Sequence, residues 1–232
     1  MNTPLTLFGD HPCTARIALI GAGGTGSELL SHLLRLHQAL ISLQQPGLDV
    51  TVYDADQVSE SNLVRQRFST PDLGQNKAIT LVRRINLAGN VSWRARPQHY
   101  TGEFLQADIV ISCVDSRSTR AELHGAARQQ RWWWLDCGND HTTGQVILGR
   151  AGVLPLATEL HPELMDTALP DDGPSCSTME ALQRQDLFVN AHVAAHAADL
   201  LWNFIHTDKG IQHHARYFSL QNHTLSARSI PV

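Results

Sequence analysis

The chain has 232 residues, 42% of them hydrophobic, enough to bury one sizeable core. Its 18 Lys and Arg against 22 Asp and Glu give a formal net charge of −4, which argues against the clustered cations of a nucleic-acid or membrane-surface binder. No run approaches the ~20 consecutive apolar residues of a spanning helix. The four cysteines (Cys13, Cys113, Cys137, Cys176) are too scattered for a disulfide framework, and no CxxC offers a zinc site. The opening MNTPLTLFGDHPCTARIALIG lacks a basic start, a continuous apolar stretch and a small-residue cleavage site, so a cytoplasmic chain is expected.

In chain order, Ala15–Ile20 reads as an apolar strand that runs into a glycine turn. Leu29, Leu30, Leu33, Leu34 and Leu36 then recur at helical spacing. Gln44-Gln45-Pro46-Gly47 ends that helix and Asp49–Tyr53 forms a second strand. Lys77 to Leu87 is predicted helical with Ile79, Val82 and Ile85 on one face. The nearly continuous apolar run Ala107–Val114 suits a buried parallel strand. A helix over Ser118 to Arg131 and a strand over Trp132–Cys137 follow, then strands over Gly144–Leu148 and Gly152–Pro155. Thr158–Gln185, rich in Pro and Asp, reads as a long mobile crossing loop. Asp186–Ile205 resumes a helix, and Arg216–Leu220 with Leu225–Ile230 reads as a closing strand pair.

This alternation predicts an α/β, Rossmann-like doubly wound fold: a mainly parallel sheet with antiparallel strands added in the C-terminal half. The expected organisation is a single domain over 1–232. Its parts are a nucleotide-binding half (1–150), the crossing loop (158–185) and a C-terminal helix with strands (186–232).

Gly21-Ala22-Gly23-Gly24-Thr25-Gly26 satisfies G-x-G-x-x-G between a strand and a helix, the setting in which glycines let a backbone approach a phosphate at a helix N-terminus. Asp54 ends the second strand, where a carboxylate accepts from ribose hydroxyls; a turn-starting aspartate is the plainer alternative. These two features serve a dinucleotide oxidoreductase and an ATP-using enzyme equally. The cations that follow Asp54, in DADQVSESNLVRQRF and at Lys77, have an evident use in the second and no obvious one in the first.

GAGGTG, DADQVSESNLVRQRF, GQNKA and CVDSRSTR stand in the order that marks the ThiF/MoeB/HesA family, bacterial relatives of ubiquitin-activating enzymes, and the chain resembles that family from about Ile17 to Val146. ALQRQDLFVNAHVAAHAADLLWNF and RYFSL with ARSIPV resemble members encoded in plasmid-borne PRTRC cassettes. The resemblance implies ATP-dependent adenylation of the C-terminal carboxylate of a small ubiquitin-like, β-grasp protein, giving an acyl-adenylate and pyrophosphate.

By the same resemblance, Gly21, Gly23, Gly24 and Gly26 cradle ATP, with Gly24 giving the backbone its approach. Asp54 would hold the ribose, Asn62 would meet phosphate oxygens, Ser61 would join the cofactor-binding set, Arg65 and Lys77 would supply positive charge, and Asp115 would hold Mg with the ATP. Taken singly, each has a plain reading: solvated cations for Arg65 and Lys77, a helix cap or a partner of Arg120 for Asp115. Arg67 matches no role and reads as a surface residue.

The chain departs from the family in two places. It lacks the two CxxC pairs of a structural zinc, and only Arg16 stands where relatives carry a segment reaching into a partner's ATP site. A homodimer is therefore allowed but not argued for. Cys176, in DDGPSCSTMEAL, is a candidate to take the activated carboxylate as a thioester; the alternative is a helix-start cysteine without chemistry. Cys137 reads as packing. His192, His196 and Asp199 share one helical face, a geometry that serves a metal less readily than a core, and His213-His214 and His223 read as surface. Two further functions compete: an NAD-dependent oxidoreductase, which leaves Arg65, Lys77 and Asp115 unused, and a non-catalytic nucleotide-binding partner module. The expected partners are a small ubiquitin-like or other carboxylate-bearing protein, with no nucleic acid and no membrane.

Overall fold

The computed structural model describes residues 5–8, 13–168, 185–206 and 210–230. Its frame is one eight-stranded sheet in the order β3-β2-β1-β4-β5-β6-β7-β8. The strands are β1 (Ala15–Ile20), β2 (Leu48–Tyr53), β3 (Arg94–Arg96), β4 (Ile109–Ser112), β5 (Trp133–Asn139), β6 (Thr143–Gly149), β7 (His213–Ser219) and β8 (Thr224–Ser229). From β3 to β5 neighbours pair parallel; from β5 to β8 they pair antiparallel. The helices are α1 (Gly24–Ser42), α2 (Lys77–Gly89), α3 (Arg117–Gln130), the single turn α4 (Ala157–Leu160) and α5 (Val189–Ile205). None is long and apolar enough among the described residues to cross a membrane.

Strand residues alternate between two cores because successive side chains leave opposite faces. Ile17, Leu19, Val50, Val52, Ile109, Ile111, Trp133 and Leu135 join Leu29, Leu33 and Leu40 of α1, Leu81 and Val82 of α2, and Val193, Leu200 and Phe204 of α5. Ala18, Ile20, Val110 and Trp134 meet Leu123 and Ala127 of α3 on the other side. Helices thus cover both faces of the parallel half, as doubly wound sheets require. The consecutive Trp132, Trp133 and Trp134 are all buried: Trp133 packs edge-on to Phe204, while Trp132 and Trp134 share the α3 side.

The crossing segment expected as a loop over Thr158–Gln185 begins with α4 and a 3-10 turn at Pro162–Met165, its residues 169–184 lying outside those described. Four other details depart from the expectations. Ile79 is 47% exposed, because the buried face of α2 runs through Ala78, Leu81, Val82 and Ile85. Gly152–Pro155 is no strand: Arg150 and Leu154 bridge across a tight turn with Gly152 at positive φ. Arg94–Arg96 adds an edge strand too short and too charged to announce itself. His214 is fully buried, its Nδ1 3.1 Å from the Leu148 carbonyl, while its neighbour His213 is exposed, as strand alternation dictates.

Candidate active site

The order of the parallel strands reverses between β1 and β4, and ligands of open α/β sheets bind beyond the C-terminal strand edge at such a point. A cavity of about 1260 Å³ opens there. Gly21, Gly23, Gly24, Asp54, Ser61, Asn62, Arg65, Lys77 and Asp115 all line it. It continues along β5 and β6 to Tyr217, Ser219 and Thr224 on the β7–β8 hairpin. Small-molecule sites usually measure roughly 300–1,000 Å³, so there is room for more than a nucleotide.

The four glycines do different things. Gly21 turns at φ +93°, and a Cβ there would sit 2.5 Å from the Cys113 carbonyl oxygen. Gly26 packs α1 onto the turn, for its Cβ would lie 2.0 Å from the Gly21 oxygen, and it does not line the cavity. At Gly24 a Cβ would meet the Asn190 amide at 2.6 Å, so a side chain there is excluded by α5. The open position is Gly23, whose nearest neighbour would be Gln66 at 3.9 Å. Gly23 and Gly24 both line the cavity, and of the two only Gly23 has space for an added side chain.

Asp54 accepts from the Ala22 N–H at 2.6 Å and the Asp56 N–H at 2.8 Å, tying the glycine turn to the end of β2. Burial pushes its carboxyl up, against the downward pull of these bonds and of nearby Lys77. Lys77 is 7% exposed, and its Nζ donates to Asp56 Oδ2 at 2.9 Å. It begins α2 directly after the cap Asn76, whose Oδ1 accepts from the Ile79 N–H at 3.0 Å. Asn62 closes a short 3-10 turn: its Oδ1 accepts from the Ser59 N–H at 2.9 Å, and Ser61 is buried beside it. Arg65 donates through Nη1 to Gln185 Oε1. Arg67 turns away and pairs with Glu28 at 2.7 Å on α1, an exposed position as expected.

Asp115 follows β4 with an exposed carboxylate. It does not cap α3; Ser116 does, its Oγ accepting from the Thr119 N–H at 3.2 Å. Nor does it pair through its carboxylate with Arg120. That guanidinium donates from Nε to Asp136 Oδ1 at 3.1 Å and reaches only the Asp115 carbonyl, at 3.4 Å. Asp136 Oδ1 also accepts from Ser112 Oγ at 2.6 Å, and Ser112 in turn accepts from Trp134 Nε1 at 2.8 Å. This buried network holds the ends of β4 and β5 in register beneath the cavity.

Cys137 is 2% exposed. Its thiol is pushed up by a hydrogen bond with Cys113 and by burial, which suits packing and not nucleophilic attack. Cys176 lies outside the described residues. His192 and His196 tilt onto the Phe218 ring at 5.9 and 5.2 Å, while Asp199 pairs with Arg216 at 2.6 Å. Among the described residues no three His, Cys, Asp or Glu side chains group to hold a metal. Sequence reasoning missed Gln66, Asn139, Gln185 and Asn190 as cavity-lining residues. For Gln66 the adjacent Arg65 was a signal; the other three had none, since they reach the site through tertiary packing.

Two kinds of known protein are similar. The sulfur carrier protein ThiS adenylyltransferase of Escherichia coli (strain K12) is 32% identical over 120 residues, covering 48% of this chain and 44% of that protein. Among solved structures, E. coli MccB with ATP superposes with a TM-score of 0.68 at 16% identity, over 97% of this chain and 65% of that one. PaaA gives 0.64 at 17% identity, over 93% and 64%. At such identity the likeness speaks for the fold, and the chain spans less than two thirds of each of these three. The ThiF family model matches residues 13–232. With this match over nearly its whole length, the chain belongs to the ThiF family.

Proposed function

We infer that the protein is an ATP-dependent adenylyltransferase acting on the C-terminal carboxylate of a small protein. The observation that carries this reading is one cavity lined by a glycine turn, a carboxylate ending β2, two cations and a second carboxylate ending β4. In the reaction, a carboxylate oxygen attacks the α-phosphorus as the bond to the β-phosphate bridging oxygen breaks. Acyl-adenylate forms, and pyrophosphate leaves with the electron pair. Charge accumulates on the phosphates, so catalysis rests on positioning and fixed positive charge. Asp54 takes the ribose hydroxyls, Gly23 and the α1 N-terminus face phosphate, and Asn62, Arg65 and Lys77 stabilise the phosphate oxygens. The exposed Asp115 carboxylate fits a Mg²⁺ that completes its shell with phosphate and water, and such an ion would neutralise charge on the phosphates.

The cavity's extension along β6 to Tyr217 and Thr224 is where the acceptor's terminal segment would lie. ThiS adenylyltransferase is named for a sulfur carrier protein and MccB was crystallised with MccA, which supports a small protein or peptide as acceptor. Thioester transfer to Cys176 and a cytoplasmic location belong to the same reading. The test is ATP–pyrophosphate exchange in the presence of small β-grasp proteins that end in Gly-Gly. Exchange that needs both ATP and an intact C-terminal carboxylate is expected. ATP binding without any exchange across such partners would leave only a nucleotide-binding module.

A further inference from the structure

Asn190 opens α5 and is 5% exposed. Its Oδ1 accepts from Thr25 Oγ1 at 3.0 Å and from Asn139 Nδ2 at 3.1 Å. Its Nδ2 donates to Gln185 Oε1 at 3.5 Å, the longest bond of the set. The same Gln185 oxygen accepts from Arg65 Nη1. Gln185 is itself steadied by its neighbours: the Asp186 N–H donates to the His141 carbonyl at 2.8 Å, and the Phe188 N–H to Asp186 Oδ1 at 2.9 Å. One buried amide thus touches the first turn of α1 and the end of β5, and reaches Arg65 through a second amide.

The chemistry of the two amides suits this junction. Each offers acceptor and donor together, so Asn190 meets two donors and one acceptor without a buried charge. Gln185 accepts from the guanidinium through a neutral amide oxygen and brings no carboxylate charge that would repel phosphate. We propose that Gln185 and Asn190 are positioning residues that set the Arg65 guanidinium against the α1 N-terminus, so that both anion-binding groups meet the nucleotide phosphates in one geometry. The proposal rests on the role assigned to Arg65 in the adenylation reading.

The test is a double-mutant cycle on nucleotide affinity, measured by equilibrium dialysis with ATP and, separately, with adenosine, which has no phosphate. Gln185→Ala is expected to weaken ATP about five-fold and leave adenosine and the melting temperature unchanged. In an Arg65→Ala background the same change should cost nothing more, because its effect passes through Arg65. Asn190→Ala should show the same non-additivity together with a lower melting temperature. Unaltered ATP affinity in Gln185→Ala, or a loss that persists undiminished beside Arg65→Ala, overturns the proposal while the adenylation reading stands. A wild-type protein that binds no ATP overturns both.

Discussion

Lys77→Met separates charge from packing at one position. Methionine keeps the apolar stem in its slot, whereas the ammonium, 7% exposed and 2.9 Å from Asp56, is lost. The Asp56 side chain is 58% exposed, so it rehydrates when its partner goes. Such pairs contribute about 0–1 kcal/mol, and the melting temperature should fall by no more than about 2–4 °C. A hydrogen bond from a charged donor to phosphate contributes about 1.5–3 kcal/mol, which corresponds to roughly a 10- to 150-fold loss of ATP affinity. Titration calorimetry with ATP and with adenosine measures both, and adenosine affinity near neutral pH should not move. A second signature comes from Asp54. Lys77 helps hold its carboxyl down against burial, so in Lys77→Met the acid limb of adenosine binding should shift to higher pH. ATP affinity within twofold of the wild type, or an equal loss for adenosine, refutes the phosphate role.

Three further outcomes are expected. Gly26→Ala places a methyl against the Gly21 carbonyl oxygen, with no flexible side chain to yield, and should cost about 3 kcal/mol or more in urea denaturation; Gly23→Ala should cost far less stability yet impair ATP binding, and equal costs would contradict the packing roles. Arg120→Met strands the Asp136 carboxylate in the core with Ser112 as its remaining partner and should destabilise the fold by about 3–5 kcal/mol, read as a fall in melting temperature of about 10 °C or more. Burial pushes the His214 imidazole down from 6.5, so the unfolded chain takes up its proton first and stability is lost as pH falls below 6.5. His214→Asn, which keeps a donor for the Leu148 carbonyl, should flatten the difference between urea midpoints at about pH 7.5 and 5.5; an unchanged slope would assign it elsewhere. Asp54, shifted upward, acts in the opposite sense in both proteins and so does not mimic this change.

The architecture was largely legible because its signals are local. Periodicity in Leu29–Leu36, the unbroken apolar run around Ile109–Val110 and the glycines after Ile20 each follow from contacts within one element or one crossover. The C-terminal ends of β1, β2 and β4 likewise brought Gly21, Asp54 and Asp115 to one end of the sheet, as the motif order implied. Ile79 was misread because a helical face is about 100° wide and its edge is decided by what lies across from it.

What only the tertiary structure decided is who meets whom. Arg65 and Gln185 are 120 positions apart, and Thr25 and Asn190 are 165 apart, so no local pattern pairs them. The same holds for the glycines: sequence places Gly23, Gly24 and Gly26 in one turn, but which of them could carry a side chain depends on α5 arriving with Asn190 beside Gly24. Residue type and spacing therefore gave most of the sheet and the glycine turn, since those are written in short-range hydrogen bonding and hydrophobic period. The partners of Arg65, Arg120 and His214 were settled by close packing, which satisfies buried polar groups with whatever donor or acceptor the fold brings within reach.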